Sequence, residues 1–222
     1  MRYDNIVTAV FSERLNRFEA EVLIGGSSEN VHVRNTGRCK NLLVKGAEVA
    51  LEPSSNPARK TRYSLIAAEH ERLGWVNLDS SAPNAVVSEW LAGQELSAVK
   101  REYTFGKSRI DFYAEYKDRK ILMEVKGCTL ERDGIGYFPD APTERGVKHL
   151  KELAGAVSQG YETYIAFVIQ MNGISEVKPD AEIHKEFAVQ YERSLAAGVR
   201  PLFLECRAER DGLEIISPPV FI

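Results

Sequence analysis

Asp111, Glu124 and Lys126, two carboxylates and an ammonium, carry the clearest chemical signal in the sequence. They fall within residues 108–126, where two runs of alternating β-branched or aromatic residues flank the short polar turn Lys117-Asp118. That pattern predicts a β-hairpin. With the turn centred between 117 and 118, Asp111 stands opposite Glu124. Alternation sorts Ile110, Phe112, Ala114, Tyr116, Ile121, Met123 and Val125 onto an apolar, core-facing side. The other side carries Asp111, Tyr113, Glu115, Leu122, Glu124 and Lys126. Like charges facing each other across a strand pair destabilise it, and a divalent cation between them removes the conflict. Mg²⁺ (or Mn²⁺) takes carboxylate oxygen, water and phosphate oxygen as ligands. A solvated hairpin face with a surface Glu–Lys contact accounts for the same three residues, so their surroundings must decide.

The elements around the hairpin divide the chain in two. Residues 1–82 read as short strands at 5–12, 18–24, 30–34, 47–52, 62–70 and 74–78, separated by turn residues such as Gly25-Gly26, Gly46 and Pro53 to Pro57. Arg38 to Lys45 reads as a single helical turn. So many short strands in so short a segment suggest a small β-barrel, with a sandwich or an irregular sheet fitting nearly as well. Ser80 to Ala85 is the boundary: small, polar and proline-containing. Residues 83–222 then read as helix 84–91, strand 97–105, the hairpin, a Gly- and Pro-rich loop over 127–142, and helix 144–157 with Thr143 as its N-cap. Tyr161–Gln170 is an apolar strand covered on both faces. Helix 181–196, strand 201–206 and a last hairpin through Asp211-Gly212 follow. This is an α/β order around a central mixed sheet.

Composition removes several classes of function. No apolar run reaches about 18 residues, and the N-terminus lacks an apolar signal segment, so a cytoplasmic protein without a membrane span is expected. Cys39, Cys128 and Cys206 form neither a disulfide framework nor a metal motif. His32, His70, His149 and His184 lack zinc-ligand spacing. There is no nucleophile elbow and no phosphate-binding Walker loop.

The net charge of −3 counts against a chain-wide footprint for nucleic acid, so any such binding needs a local patch. Residues 31–62 supply one: Arg34, Arg38, Lys40, Lys45, Arg59, Lys60 and Arg62 outnumber Glu48 and Glu52 by five. A basic groove on a small barrel holds a phosphate backbone well. Arg145, Lys148 and His149 fall on or beside the polar face of helix 144–157, near its start, where backbone donors favour phosphate. Scattered solvated cations explain the first group equally well, and an exposed, solvated helix face is the usual fate of residues like the second.

The order helix, Asp-bearing hairpin, Glu-x-Lys strand, helix, strand resembles the PD-(D/E)XK nuclease superfamily. More specifically, the chain is similar to the sugar fermentation stimulation protein A family of prokaryotes. The matching stretches are Val-His-Val-Arg-Asn-Thr-Gly-Arg (31–38), Ser-Arg-Ile-Asp-Phe (108–112), Glu-Val-Lys-Gly (124–127) and Phe-Pro-Asp-Ala-Pro-Thr-Glu-Arg-Gly-Val-Lys-His-Leu (138–150). The family carries Pro where this chain has Arg34, and Ser where it has Gly127. The resemblance implies an oligonucleotide-binding-like (OB-like) barrel over 1–82 and a nuclease-like domain over 83–222. It implies a DNA-binding protein linked to sugar-utilisation genes. By motif position, Asp111 and Glu124 become acidic metal ligands, Val125 offers its backbone carbonyl, and Lys126 is the charged catalytic residue. Arg34, Arg38, Lys40, Arg59, Lys60, Arg62, Arg145 and Lys148 become the nucleic-acid contacts. Two functions are compatible with this: a Mg²⁺-dependent nuclease, or a DNA-binding regulator whose nuclease fold no longer cleaves. A homodimer is left open.

Overall fold

A computed structural model describes residues 1–106 and 108–216. The first half contains strands β1 (Val7–Arg14), β2 (Glu19–Ile24), β3 (Ser27–Val33), β4 (Glu48–Pro53), β5 (Tyr63–His70) and β6 (Gly74–Asn77). They form one sheet in the order β3-β2-β1-β4-β5-β6. A parallel pairing of β3 with β5, through His32↔Ser64 and Val33↔Leu65, closes five strands into a barrel. Alternation along β1 and β2 buries Ala9, Phe11, Ala20 and Val22 inside it. Between β3 and β4, the amides of Leu42 and Leu43 both bond the Cys39 carbonyl, the single helical turn expected there.

The second half follows with α1 (Ala82–Ala92), β7 (Ala98–Phe105), β8 (Ser108–Tyr116), β9 (Arg119–Cys128), β10 (Leu130–Arg132), β11 (Ile135–Phe138), α2 (Glu144–Val157), β12 (Glu162–Ile169), β13 (Val177–Pro179), α3 (Lys185–Ala196), β14 (Arg200–Glu209) and β15 (Gly212–Ile215). The central sheet runs β15-β14-β12-β9-β8-β7. It is mixed: β12 is parallel to both β9 and β14, and the outer pairs are antiparallel. One face packs on α2 and α3 through Leu122, Val147, Leu150, Phe167 and Phe187. The other packs on α1 through Val86, Val87, Phe112, Met123 and Val125. The predicted hairpin is present, with Lys117 at φ 53 in a two-residue turn of the kind that matches strand twist.

Three sequence expectations need correction. The stretch 127–142 is not only loop: β10 and β11 form a hairpin around Asp133-Gly134, and β11 pairs in parallel with β13. These strands have three or four residues each, too few to show a period, although Asp-Gly is itself a hairpin signal. A side chain at Gly136 would press on the Glu176 carbonyl at 3.0 Å, so glycine here lets the β13 backbone approach. Helix α3 starts at Lys185 rather than near 181, because the Asp180 carboxylate accepts from the amides of Glu182 and Ile183 and holds that segment as a turn. Finally, Ile110 does not share a face with Phe112. Ile110 joins the core under α2, and Phe112 the core under α1.

The two halves meet over a polar junction. Asn77 accepts from the buried Gln170 side chain at both its backbone and side-chain oxygens, and the Asp79 carbonyl accepts from it as well. Asp79 also receives Arg34, Tyr3 and Ser81. The first residues cross over entirely: Arg2 bridges to Gly212, the Tyr3 amide donates to the Asp211 carbonyl, and the Met1 ammonium donates to the Leu213 carbonyl. Gln170 is only 2% exposed. Gln170→Ala should therefore cost about 2 kcal/mol by leaving buried carbonyls unpaired. Denaturant unfolding should show one transition for the full chain, and separately expressed fragments 1–82 and 83–222 should each melt below it. Two independent transitions in the full chain would contradict a shared junction.

Candidate metal and nucleic-acid site

Asp111 sits where β8 leaves its neighbours. The β8–β9 ladder ends at Phe112↔Met123, one step short of Asp111 and Glu124. On the other side, the β7–β8 ladder steps over the same position, and Glu102 there has φ 50, a left-handed backbone. The irregularity frees Asp111 from a flat cross-strand position and explains why Ile110 changes face. Its carboxylate accepts from the Val125 amide at 2.8 Å and from the Asn84 side chain, on α1, at 3.1 Å.

Glu124 is 1% exposed, on the β9 face that lies under α2. Its Oε1 accepts from Lys126 Nζ at 2.8 Å and touches His149 Nδ1. Its Oε2 is buried with no hydrogen-bond partner among the described residues. Lys126 Nζ lies 3.3 Å from His149 Nδ1, and Arg145 Nε donates to His149 Nε2 at 3.3 Å. With Nε2 accepting from Arg145, the ring's proton lies on Nδ1 and points at Glu124, so His149 need not be charged to make both contacts.

The electrostatics divide the two carboxylates. Burial and the Glu124 charge raise the Asp111 pKa, against opposing bonds from Val125 and Asn84 and the charge of Lys126. Burial also pushes Glu124 up, but the His149 bond and the Lys126 charge outweigh it and hold this group at about 2. Glu124 is thus the anion that Lys126 neutralises, and Asp111 is the carboxylate under repulsion.

Such a site fits a divalent cation. Asp111 accepts from the amide of Val125, next to Glu124, and feels the Glu124 charge, and a buried Glu124 oxygen lacks a partner among the described residues. Val125 supplies its N–H to Asp111; its carbonyl as a ligand rests on motif position. A separate cluster of Glu144, His184 and Glu186 has metal-ligand types close together, but Lys151 pairs with Glu186 and the Thr143 amide bonds His184.

His149 does not lie on or beside the solvated face of its helix. It is 4% exposed and belongs to the sheet-facing stripe Gly146, His149, Leu150, Leu153. Counting back from Leu153 in threes and fours would have placed it there. Arg145, one turn earlier, is exposed and bonded to it. Lys148 is exposed and pairs with Glu152 at 3.7 Å. Glu152, which sequence reasoning did not single out, accepts from Ser108 and buries its other oxygen without a partner.

The basic patch on the barrel is redistributed. Arg34 is not available to phosphate: its guanidinium pairs with Asp79 at 2.9 Å and with Glu52. Lys60 pairs with Glu19 and Arg62 with Glu29, and Arg59 donates to Ser64. Glu19 and Glu29 lie outside the 31–62 window, on strands that folding brings alongside. Arg38 and Lys40 are exposed and line an open cavity of about 640 Å³ together with Arg14 and Arg17.

The loop bearing Arg38 is seated on the second half. A Cβ at Gly37 would fall 2.0 Å from Asp140 Oδ2, so only glycine permits the approach. Stretch 31–38 thus touches 138–150 through Gly37 and Asp140, 138–150 touches 124–127 through His149 and Glu124, and 124–127 touches 108–112 through Val125 and Asp111. The model of the sugar fermentation stimulation protein RE domain matches residues 81–212, and that of the SfsA N-terminal OB domain matches residues 13–78. The chain belongs to the sugar fermentation stimulation protein family. A homolog from Desulfitobacterium hafniense is 47% identical over 218 residues, covering 96% of this chain and 95% of its own. One from Clostridium beijerinckii is 44% identical, with 97% and 96% covered. The structure of Pyrococcus furiosus SfsA in complex with Ca²⁺ superposes with a TM-score of 0.83 at 27% identity, covering 96% of this chain and 94% of that one. The OB-like barrel and the nuclease-like mixed-sheet domain are those of this family. Arg34 serves the Asp79 junction. At Gly127 a Cβ would lie 2.2 Å from Gln170 Oε1 and 2.9 Å from Pro83 Cγ. Among the described residues no helix is long and apolar enough to cross a membrane.

Opposite stability effects should separate the two carboxylates. Asp111, with a raised pKa, loses stability as pH rises from its unfolded value through its folded one; Asp111→Asn should raise the melting temperature at neutral pH in chelator. Glu124, with a lowered pKa, contributes stability above its unfolded value that is lost as pH falls toward about 2. Glu124→Gln leaves Lys126 without its counterion and should cost about 3 kcal/mol. Thermal melts in chelator across pH measure both; equal effects of the two substitutions would overturn this division.

Proposed function

We propose that this protein is a metal-dependent phosphodiesterase acting on nucleic acid, most readily DNA. The observation carrying this reading is the convergence of Asp111, Glu124 and Lys126 on one patch, with a Glu124 oxygen buried and unpartnered. The Ca²⁺ complex of the Pyrococcus furiosus relative supports a divalent-cation site in this fold. Asp111 and Glu124 would hold Mg²⁺ or Mn²⁺, with the Val125 carbonyl beside them. A divalent ion bound there acidifies a coordinated water and offsets charge growing on the phosphoryl oxygens.

The chain's own residues do the rest. Asn84 and the Val125 amide fix the Asp111 carboxylate. Glu124, itself held by His149, aims the Lys126 ammonium, which donates to the attacking water or to a phosphoryl oxygen. The water oxygen attacks phosphorus, the bond to the leaving oxygen breaks, and that oxygen takes up a proton. Arg145 and Lys148, at the exposed start of α2, stand where the flanking phosphates would pass.

The alternative is a DNA-binding regulator of sugar-utilisation genes that no longer cleaves. The engagement of Lys126 by Glu124 favours it, since an ammonium held in an ion pair is less free to act.

A panel of labelled duplex, single-stranded, branched and RNA substrates, incubated with Mg²⁺, Mn²⁺ or chelator, separates the two. Cleavage should require metal. Lys126→Ala should keep the metal-induced rise in melting temperature and lose about 100-fold or more in rate, the scale of removing one charge-stabilising donor. Asp111→Asn should lose the metal response. A metal response without cleavage of any substrate would favour the regulator; no response to metal in the wild-type protein would sink the metal site itself.

A further inference from the structure

We infer that the barrel binds single-stranded nucleic acid, with Phe18 as a base-stacking platform beside the cavity of Arg14, Arg17, Arg38 and Lys40. The inference deepens the nucleic-acid reading above by naming the strandedness of the ligand and the surface that selects it.

The charge comes first. Arg17, Arg38 and Lys40 have no ion pair among the described residues, whereas Lys60 and Arg62 are matched by Glu19 and Glu29. Arg14 spends its guanidinium on backbone oxygens: those of Asn16 and Arg17 in the β1–β2 turn, and of Asn35, Gly37 and Arg38 in the loop after β3. It therefore welds the two loops together while keeping its positive charge. The cavity between them is open, about 640 Å³, and its lining contains no carboxylate. In a chain of net charge −3, this concavity is where a polyanion is favoured.

The aromatic group comes second. Phe18 follows Arg17 in the β1–β2 turn and is 51% exposed, close in sequence to the exposed Leu15. The Arg17 guanidinium lies 5.8 Å from the Phe18 ring centroid. A large aromatic side chain left in water at the rim of a cationic groove offers a flat face to an unpaired base, and such stacking tolerates any sequence. A duplex hides its base faces and gains nothing from Phe18.

Continuity with the candidate metal site comes third. Thr36 and Gly37, on the wall of the basic cavity, also line a second cavity of about 220 Å³ with Ser80, Pro83, Gly127 and Asp140. Gly127 follows Lys126, and Pro83 precedes Asn84, which bonds Asp111. The basic cavity thus shares the loop of residues 35–38 with a cavity that reaches Pro83, next to Asn84, the partner of Asp111.

The test is fluorescence anisotropy of the full chain with labelled dT20 and with a 20-base-pair duplex, in chelator so that cleavage plays no part. Wild type should bind dT20 more tightly than the duplex. Phe18→Ala should weaken dT20 binding about tenfold, the scale of removing one base stack, and leave duplex binding unchanged. Phe18→Trp should retain it, and equal melting temperatures would show that both variants are folded. The Arg38→Ala/Lys40→Ala variant should flatten the salt dependence for dT20, its slope falling by about 0.7 for each phosphate no longer neutralised. Tighter binding to duplex, unchanged affinity in Phe18→Ala, or equal displacement of dT20 by polyglutamate would each overturn the inference. Absent cleavage alongside the expected binding would count against the phosphodiesterase and leave this surface standing.

Discussion

An ionised carboxylate inside a sheet that is covered on both faces is the constraint from which the second half is built. Glu124 lies on β9 beside the buried apolar Leu122, Ile165 and Phe167, and it stays charged because Lys126 and His149 reach it. An unpaired carboxylate there would be expensive, so its two partners must be fixed in place before the core can close. Lys126 comes from the same strand face two residues on. His149 comes from α2, which must therefore dock with one particular turn against β9. The apolar stripe of α2 then serves two purposes: it buries Val147, Leu150 and Leu153, and it delivers an imidazole to a charge.

Asp111 answers a different requirement. It stands near the same charge without an ion pair of its own among the described residues, at the point where β8 departs from regular pairing. The irregular backbone at Glu102 and the end of the ladder before Asp111 turn the carboxylate toward the Val125 amide instead of holding it flat against Glu124. Repulsion that a regular hairpin would have to bear is thereby moderated and retained, which is the state a cation site needs.

The barrel is held to this site by close backbone approach and buried hydrogen bonds more than by charge. Gly37 lets Asp140 press against the loop of residues 35–38, and Gln170 ties β12 to the end of β6. The segment that supplies Asp140 runs on directly into α2 with its N-cap Thr143. Loop, cap and helix form one continuous support, so the exposed cations of the barrel and the buried groups of the sheet keep a fixed relation. The paired cations Lys60 and Arg62, in the loop between β4 and β5, sit outside that support.

Local rules were enough for much of this chain. Alternation and turn residues located the barrel strands and the Lys117-Asp118 hairpin, capping chemistry located α2, and residue types in one hairpin singled out Asp111, Glu124 and Lys126. Each of these depends on neighbours within a few residues, where periodicity and propensity act. The sequence could not decide what long-range packing decides. His149 became a site residue because a helix far along the chain docked against the strand of Glu124. Arg34 became structural because folding brought it to Asp79 and Glu52. The basic patch moved from Arg59–Arg62 toward Arg14 and Arg17 because Glu19 and Glu29, distant along the chain, lie alongside the former in the closed barrel. Charge counted along a chain sums over neighbours in sequence, while the field at a surface sums over neighbours in space, and only the tertiary fold specifies those.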